Sequence, residues 1–596
     1  MVKIKFNEQQ MKVINFMKGN CCVIAGAGGG KSTTLIGRVE KMIEEGIEPC
    51  DIMMITFTRN SADDLKNKLY RKNIKGVKVG TFHSICGRIL SEELKQFSTK
   101  KLIQSYMIEN CFKRIDNKVN VDEIMRAIDY QKSNMIGVFD EYILNDFDYS
   151  EEEIREFYKA YENLKETKGL YDFSDWLSLT IPILEKDYIG KYTVEYLLVD
   201  ESQDCNLINH KLAQLLCPNG NIMMVGDVRQ SIYGFRAANP KMFMDFDKEY
   251  DNATILNIDN NYRSNKNIVE NANHFIKQYL GDFRYYSDSI PTKKEEGFID
   301  KVTSINKGGE AQEIAKRIER DIKNGITPNQ IAVLYRNNSQ VDLLEGELKL
   351  KGIDYHIEKN DSFFERREIK LIICMLRLLQ DPSDDSAFEY IYKKGTHPFS
   401  FMTKETFNRI IDKSAEKNIS LFEASDSVRV AKPKYEMKNI LKFKDIYNSL
   451  LVQYNKGVEL MNIINNIIKL LRIPTYIEEN YEGESLDDRL EGLESFKAFV
   501  RSNTLTSFLK FIYSSEQSTR KTNKNEVQLM TIHKSKGLEF RKVYIIGIQD
   551  GKFPSEKSSD MGEEARLFYV GITRAKEDLV LSELGFDNKF IEEYFN

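Results

Sequence analysis

The chain has 596 residues, too many for one hydrophobic core, because single cores stop growing near about 250–300 residues. It is 41% hydrophobic and 30% charged, with a formal charge of −5; this fits a soluble multi-domain protein and excludes a histone-like coat of positive charge, but not a local basic groove. No apolar run nears the roughly 20 residues of a membrane span, and "MVKIKFNEQQ" carries no apolar signal segment, so a cytoplasmic protein with no membrane partner is expected.

The eight cysteines show neither Cys-x-x-Cys nor zinc spacing, which argues against a disulfide framework or a structural metal. Cys21, Cys22, Cys50 and Cys374 sit in apolar runs and are expected to be core thiols. Short apolar runs recur at 21–25, 51–58, 196–200, 221–227 and 253–258. Between the first two, Leu35, Ile36, Val39, Met42 and Ile43 share a helical face that Gly46 ends. This alternation predicts an α/β domain, a parallel sheet with helices on both faces. From about 87 to 192 the pattern is helical and charged, an insertion. After the polar break "PTKKEEG" a second strand set appears at 331–336, 527–532, 543–548 and 579–584, interrupted by helical sequence at 375–520. The expected domains are therefore 1–86 with 193–290, an insertion at 87–192, a second α/β domain at 291–374 with 521–596, and a second insertion at 375–520.

The stretch "AGAGGGKS" lies between the first strand and the first helix. Gly26, Gly28, Gly29 and Gly30 let backbone N–H groups converge on phosphate oxygens, and the helix N-terminus adds partial positive charge. Lys31 is placed to reach β- and γ-phosphates, and the Ser32 hydroxyl to ligate Mg²⁺. The expected nucleotide contacts are Ala25, Gly26, Ala27, Gly28, Gly29, Gly30, Lys31, Ser32 and Thr33. "YLLVDESQD" supplies the acidic strand end such a loop needs: Asp200 to hold Mg²⁺ and Glu201 to orient and deprotonate water.

Ten segments in order, "FNEQQ", "AGAGGGKS", "TFTRNSA", "GTFHS", "DFSDW", "DESQD", "VGDVRQSIYGFR", "NYRS", "TIHKSKGLEF" and "YVGITRA", resemble the motifs of the UvrD/Rep/PcrA-type superfamily 1A DNA helicases. They run from Phe6 to Ala575, nearly the whole chain. The resemblance implies two RecA-like P-loop domains with ATP and Mg²⁺ in the cleft between them, 3′ to 5′ movement on single-stranded DNA, and duplex unwinding. It implies that Gln10 reads the adenine edge, Tyr262 stacks on adenine, Glu539 bonds the ribose, Gln230 senses the γ-phosphate or water, and Arg263 and Arg574 act as arginine fingers. It also implies strand contacts from Phe57, His83, Tyr233 and Phe235, where the family usually has Trp at the last, with Thr58, Arg336, Thr531 and His533 touching the backbone. Trp176 is expected to be structural.

Three departures bear on function. Thr33 stands where many relatives place an arginine over the adenine's other face. "YKKGTHPFSFM" (392–402) replaces a Gly-Ile-Gly turn that grips duplex DNA. The chain ends 22 residues after Arg574, so a C-terminal extension that recruits a partner or carries a nuclease is not expected. The leading expectation is an ATP-dependent DNA helicase acting on single strands and single-strand/duplex junctions, as a monomer or weak dimer. The alternatives are a single-strand translocase or motor subunit of a repair, replication or defence complex with weak unwinding alone, and a nucleotide-sensing regulatory subunit that hydrolyses little.

Overall fold

The computed structural model describes residues 5–144, 147–234, 240–358, 362–400, 402–431, 435–481, 483–500, 504–518, 525–556, 558 and 560–595. Two six-stranded parallel sheets form its centre, and each is covered on both faces by helices. The first joins β1 (Cys21–Ala25), β2 (Ile52–Ile55), β3 (Lys78–Gly80), β4 (Tyr196–Asp200), β5 (Ile222–Gly226) and β6 (Thr254–Ile258) in the order β3-β2-β4-β5-β1-β6. Because β1, β2, β4 and β5 are buried on both faces, they read in the sequence as unbroken apolar runs rather than alternating ones. The faces still separate cleanly: Cys22 and Ile24 enter one core, while Cys21, Val23 and Ala25 enter the other.

A short parallel pair, β7 (Asn260–Asn261) and β8 (Ile290–Pro291), leads away from this sheet. The second sheet joins β9 (Phe298–Ser304), β10 (Ile331–Tyr335), β11 (Tyr355–His356), β12 (Val527–Thr531), β13 (Phe540–Ile548) and β14 (Ala575–Leu584) in the order β11-β12-β10-β13-β14-β9. Its central strand β10 sends Ala332 and Leu334 into one core and Ile331, Val333 and Tyr335 into the other.

The packing divides the chain differently from the expected ranges in three places. The helix Lys266–Leu280, expected with the first sheet, packs on the second. Its stripe Ile268, Ala272, Phe275 and Ile276 shares a core with the helix Met561–Ile572, and Phe275 lies 5.0 Å from Phe568 and 5.3 Å from Phe590. The first insertion's own core runs only from Ile108 to Tyr161, whereas the flanking helices Phe82–Glu93 and Phe173–Glu185 bury their apolar faces on the first sheet, with Trp176 edge-on to Phe97 at 5.6 Å. The second insertion's core begins at Phe363 and takes in the whole helix Arg367–Gln380, which a boundary at 374 would cut. Cys21, Cys22 and Cys374 are buried, but Cys50 is exposed, because it sits in the turn Pro49–Asp51 that precedes β2. Among the described residues, no helix is long and apolar enough to cross a membrane.

A buried ionic joint fastens the first insertion to the first sheet. Asp172 caps the helix Phe173–Glu185 by accepting from the Asp175 N–H at 2.7 Å. Two insertion lysines converge on the same pair: Lys132 and Lys165 each lie 2.7 Å from Asp172, and 2.5 and 2.8 Å from Asp175. The Tyr161 hydroxyl donates to Asp172 at 3.0 Å. Burial works against the Asp172 charge, yet the two ammonium groups outweigh it and hold the carboxyl below its usual range. Glu162, Asp172 and Asp175 lie close enough to share a metal ion, but Lys132 and Lys165 already offset two of their three charges. Lys165→Met removes one of the two cations that hold these carboxylates, at a cost of about 3–5 kcal/mol. Thermal unfolding monitored by circular dichroism should therefore begin at lower temperature than in wild type; an unchanged profile contradicts this account of the joint.

Candidate nucleotide cleft and nucleic-acid face

The phosphate loop is built where β1 ends. Gly28 (φ +72°) and Gly30 (φ +77°) are left-handed, a region costly for other residues. A Cβ on Gly26 would lie 2.7 Å from both Arg229 Nη2 and Ser289 Oγ, and one on Gly28 would lie 2.8 Å from Arg263 Cβ. The glycines thus serve both the turn and the close approach of neighbouring chain. Gly30 starts the helix Lys31–Glu44 without a side-chain cap, so the first-turn N–H groups remain available to an anion. Lys31 Nζ donates to the Ala25 carbonyl at 3.4 Å.

Across the loop, the Ser32 hydroxyl donates to Asp200 Oδ2 at 3.3 Å. Asp200 is buried at the end of β4, and Glu201 follows with a left-handed backbone (φ +54°). Burial and the adjacent Glu201 push the Asp200 carboxyl above its ordinary range. For Glu201, Lys31 and Lys536 outweigh burial and keep it ionised below its range. A hydroxyl and a buried carboxylate with raised proton affinity are a hard-oxygen pair short of positive charge, which fits a divalent cation such as Mg²⁺.

The second sheet supplies the opposite wall. Arg574 is fully buried; Nη2 donates to Gln230 Oε1 at 3.1 Å, Nη1 to the Leu538 carbonyl at 3.2 Å and Nε to the Val570 carbonyl at 2.9 Å. Burial, with Arg263 nearby, lowers its pKa to about 9. Arg263 donates to Glu539 at 2.9 Å and to the Thr573 carbonyl at 3.0 Å, and Lys576 pairs with Glu539 at 2.7 Å. Tyr262 N–H donates to the Gly28 carbonyl at 3.0 Å, which ties the tyrosine to the loop.

These walls enclose a cleft of about 1250 Å³ lined by residues 26–33, Asp200, Glu201, Gln230, Tyr262, Arg263, Glu539 and Arg574. Thr33 lines it from the first helical turn. Ala25 and Gln10 lie buried behind the lining. Gln10 Oε1 accepts from the Asn7 N–H at 3.1 Å, and Nε2 donates to the Gly29 carbonyl at 3.1 Å. An amide has two donors and two acceptor lone pairs, so one of each is left for a ligand.

The cleft continues to a second face, where Thr58, Tyr233 and His533 also line it. Phe57 stacks on Tyr233 with centroids 5.4 Å apart, and His533 lies 6.5 Å from Tyr233. His83 meets Phe173 edge-on at 5.8 Å, and Phe173 is 50% exposed. Thr58 caps the helix Arg59–Arg71 by accepting from the Ser61 N–H, and Thr531 closes β12, its hydroxyl accepting from the Lys534 N–H at 3.4 Å. Arg336 is not brought into the aromatic group: it is committed to an ion pair with buried Glu564 at 3.1 Å. Phe235 lies outside the described residues.

One residue that sequence reasoning missed is Lys536. It donates to Asp204 Oδ2 at 2.6 Å and to the Gln230 carbonyl at 2.7 Å, and its ammonium lies 4.9 Å from the Tyr233 ring centroid. It thus spans the two sheets between the cleft and the aromatic face. The available signal was a second lysine within "TIHKSKGLEF" and a third acid within "DESQD".

Comparison with known proteins agrees with this architecture. Residues 6–251 match the UvrD/REP helicase N-terminal domain, and residues 256–584 match the UvrD-like helicase C-terminal domain. The junction between these matches places the helix Lys266–Leu280 with the second half, as its packing does. The chain is 31% identical to the ATP-dependent DNA helicase Rep of Buchnera aphidicola subsp. Schizaphis graminum, over 97% of this chain and 93% of the relative. It is 30% identical to DNA helicase II of Escherichia coli (97% and 84%) and 29% identical to the ATP-dependent DNA helicase PcrA of Bacillus subtilis (97% and 82%). With both halves matched and a phosphate loop facing a buried arginine across two parallel sheets, the chain belongs to the UvrD-like helicase family.

Proposed function

We propose that the protein is an ATP-dependent DNA helicase that moves 3′ to 5′ along single-stranded DNA and couples ATP hydrolysis to duplex unwinding. The observation that carries this reading is one continuous cleft: Lys31, Asp200 and Glu201 face Arg574 at one end, and Phe57, Tyr233 and His533 gather at the other. The named helicase activities of its relatives support it.

In this reading the loop amides and Lys31 hold the β- and γ-phosphates, Tyr262 stacks on the adenine, Gln10 bonds its edge, and Glu539 bonds the ribose. Ser32 and Asp200 would hold Mg²⁺, which when bound neutralises phosphate charge. Glu201 takes the proton of the attacking water, and Gln230 orients that water. Arg574 and Arg263 offer guanidinium forks to the charge that develops on the γ-phosphate. Arg574 and Glu201 come from different sheets, so hydrolysis requires the cleft to be closed, and product release permits opening. Phe57 and Tyr233, with His83 and Phe235, stack on bases in a sequence-tolerant way; Thr58, Thr531 and His533 face the backbone. Arg336 stays with Glu564 and supports the end of β10.

One observation favours the second reading, a single-strand translocase or motor subunit with weak unwinding of its own. In the stretch that replaces the glycine turn, Phe399 is buried 4.6 Å from Phe443, and Thr396 donates to the Leu471 carbonyl at 2.8 Å. The turn is therefore closed by its own packing, which leaves less backbone for gripping a duplex. Strand displacement from 3′-tailed and 5′-tailed duplexes with ATP and Mg²⁺ separates the readings. The helicase reading expects displacement of the 3′-tailed substrate. DNA-stimulated hydrolysis without displacement selects the translocase, and displacement only from the 5′ tail overturns the direction.

Two variants test the division of the cleft. Lys31→Ala should lower ATPase activity at least about 100-fold while preserving nucleotide-free binding to single-stranded DNA; loss of both contradicts two separable ends. Tyr233→Ala should weaken single-stranded DNA binding by about 1–3 kcal/mol, read by fluorescence anisotropy with a labelled oligonucleotide, and unaltered affinity removes Tyr233 from the strand path.

A further inference from the structure

We propose that Asn7 is a positioning residue of the nucleotide-base site, fixing the Tyr262 ring and the Gln10 amide as one unit. The inference rests on reading those two residues as adenine contacts. Asn7 Nδ2 donates to the Tyr262 hydroxyl at 2.7 Å, and Asn7 Oδ1 accepts from the Gln10 N–H at 2.7 Å. Gln10 Oε1 in turn accepts from the Asn7 N–H, and Gln10 Nε2 donates to the Gly29 carbonyl, each at 3.1 Å. A chain of hydrogen bonds thus runs from the stacking ring, through the edge reader, to the phosphate loop, over residues 255 positions apart in sequence.

The network also settles which way each amide faces. Asn7 Oδ1 must accept from a backbone N–H, so Nδ2 is turned toward Tyr262; Gln10 Oε1 must accept from the Asn7 N–H, so Nε2 is turned toward Gly29. Both amides are fixed without a ligand, which is preorganisation for binding.

Two features make this link consequential here. The Tyr262 backbone is tied to Gly28, but the residue is 44% exposed, so packing alone does not hold the ring. On the first turn of the helix Lys31–Glu44, Thr33 offers neither a ring nor a guanidinium plane. The orientation of a stacked base is therefore set from the Tyr262 face, and Asn7 sets Tyr262.

The test is steady-state ATPase kinetics, with single-stranded DNA present, on Asn7→Ser, Tyr262→Phe, the double variant and Tyr262→Ala. Serine keeps a cap acceptor for the Gln10 N–H but is too short to reach Tyr262; phenylalanine keeps the ring and loses the hydroxyl. The KM for ATP should rise about 2- to 10-fold in each single variant, the range expected for one hydrogen bond. It should rise no further in the double variant, and kcat should change much less than KM, a split that a folding defect does not produce. A wild-type KM in Asn7→Ser and Tyr262→Phe, beside a raised KM in Tyr262→Ala, overturns the role of Asn7. Multiplied single effects overturn it too. A wild-type KM in Tyr262→Ala instead overturns the adenine site itself. If Asn7→Ser fails to fold, Tyr262→Phe carries the test from the other end of the bond.

Discussion

Gln230 receives two cations from the second sheet: Lys536 on its backbone carbonyl and Arg574 on its side chain. This is the constraint on which the working of the rest depends. Gln230 also donates to Asp227 Oδ2 at 2.7 Å, at the end of β5 and within the first sheet's own hydrogen-bond system. The short segment after β5 therefore touches the nucleotide cleft at Gln230, the aromatic face at Tyr233 and the second sheet through both cations. More contacts secure the same segment: Arg566 donates to the Ser231 carbonyl at 2.7 Å, and Gly234 N–H donates to Glu563 at 3.0 Å. A change in the distance between the sheets cannot leave this segment unmoved.

The electrostatics explain why a nucleotide has leverage there. Burial lowers the pKa of Arg574 to about 9 and raises that of Asp204 to about 6, with Lys536 pulling the latter back. Buried charges that are incompletely compensated are costly. A triphosphate entering the cleft brings the anion that Lys31 and Arg574 lack, and its hydrolysis changes that balance. The site departs from what would stabilise the protein alone, which is where function is expected to override stability.

Much of this was legible in the sequence, for identifiable reasons. Parallel strands buried on both faces leave unbroken apolar runs, so β1, β2, β4, β5 and β10 stood out. The phosphate loop stood out because its chemistry needs glycines and a lysine at fixed spacing. The two- and three-residue strands β11 and β3 are too short to leave a run. The helix Lys266–Leu280 has one apolar face, but periodicity states that a helix has such a face without stating which sheet covers it. The same limit moved the insertion boundaries, since a helix at a domain edge can face either core. Cys50 looked buried because its neighbours are apolar, while the local turn points it outward. Lys536 and Asn7 were missed because their roles lie in partners far away in the chain.

Lys536 is the side chain that touches both the strand face, at the Tyr233 ring, and the cleft segment, at Asp204 and Gln230. The direct measurement is the ratio of ATPase rate with saturating single-stranded DNA to the rate without it, in wild type and in Lys536→Met, at saturating ATP. Methionine keeps the apolar stem and removes the ammonium that holds Asp204, Gln230 and the Tyr233 ring together. If this bridge couples strand binding to hydrolysis, the ratio falls about tenfold or more, the cost of a hydrogen-bonded charge of about 1.5–3 kcal/mol, while the variant still binds single-stranded DNA. A ratio equal to wild type would contradict it.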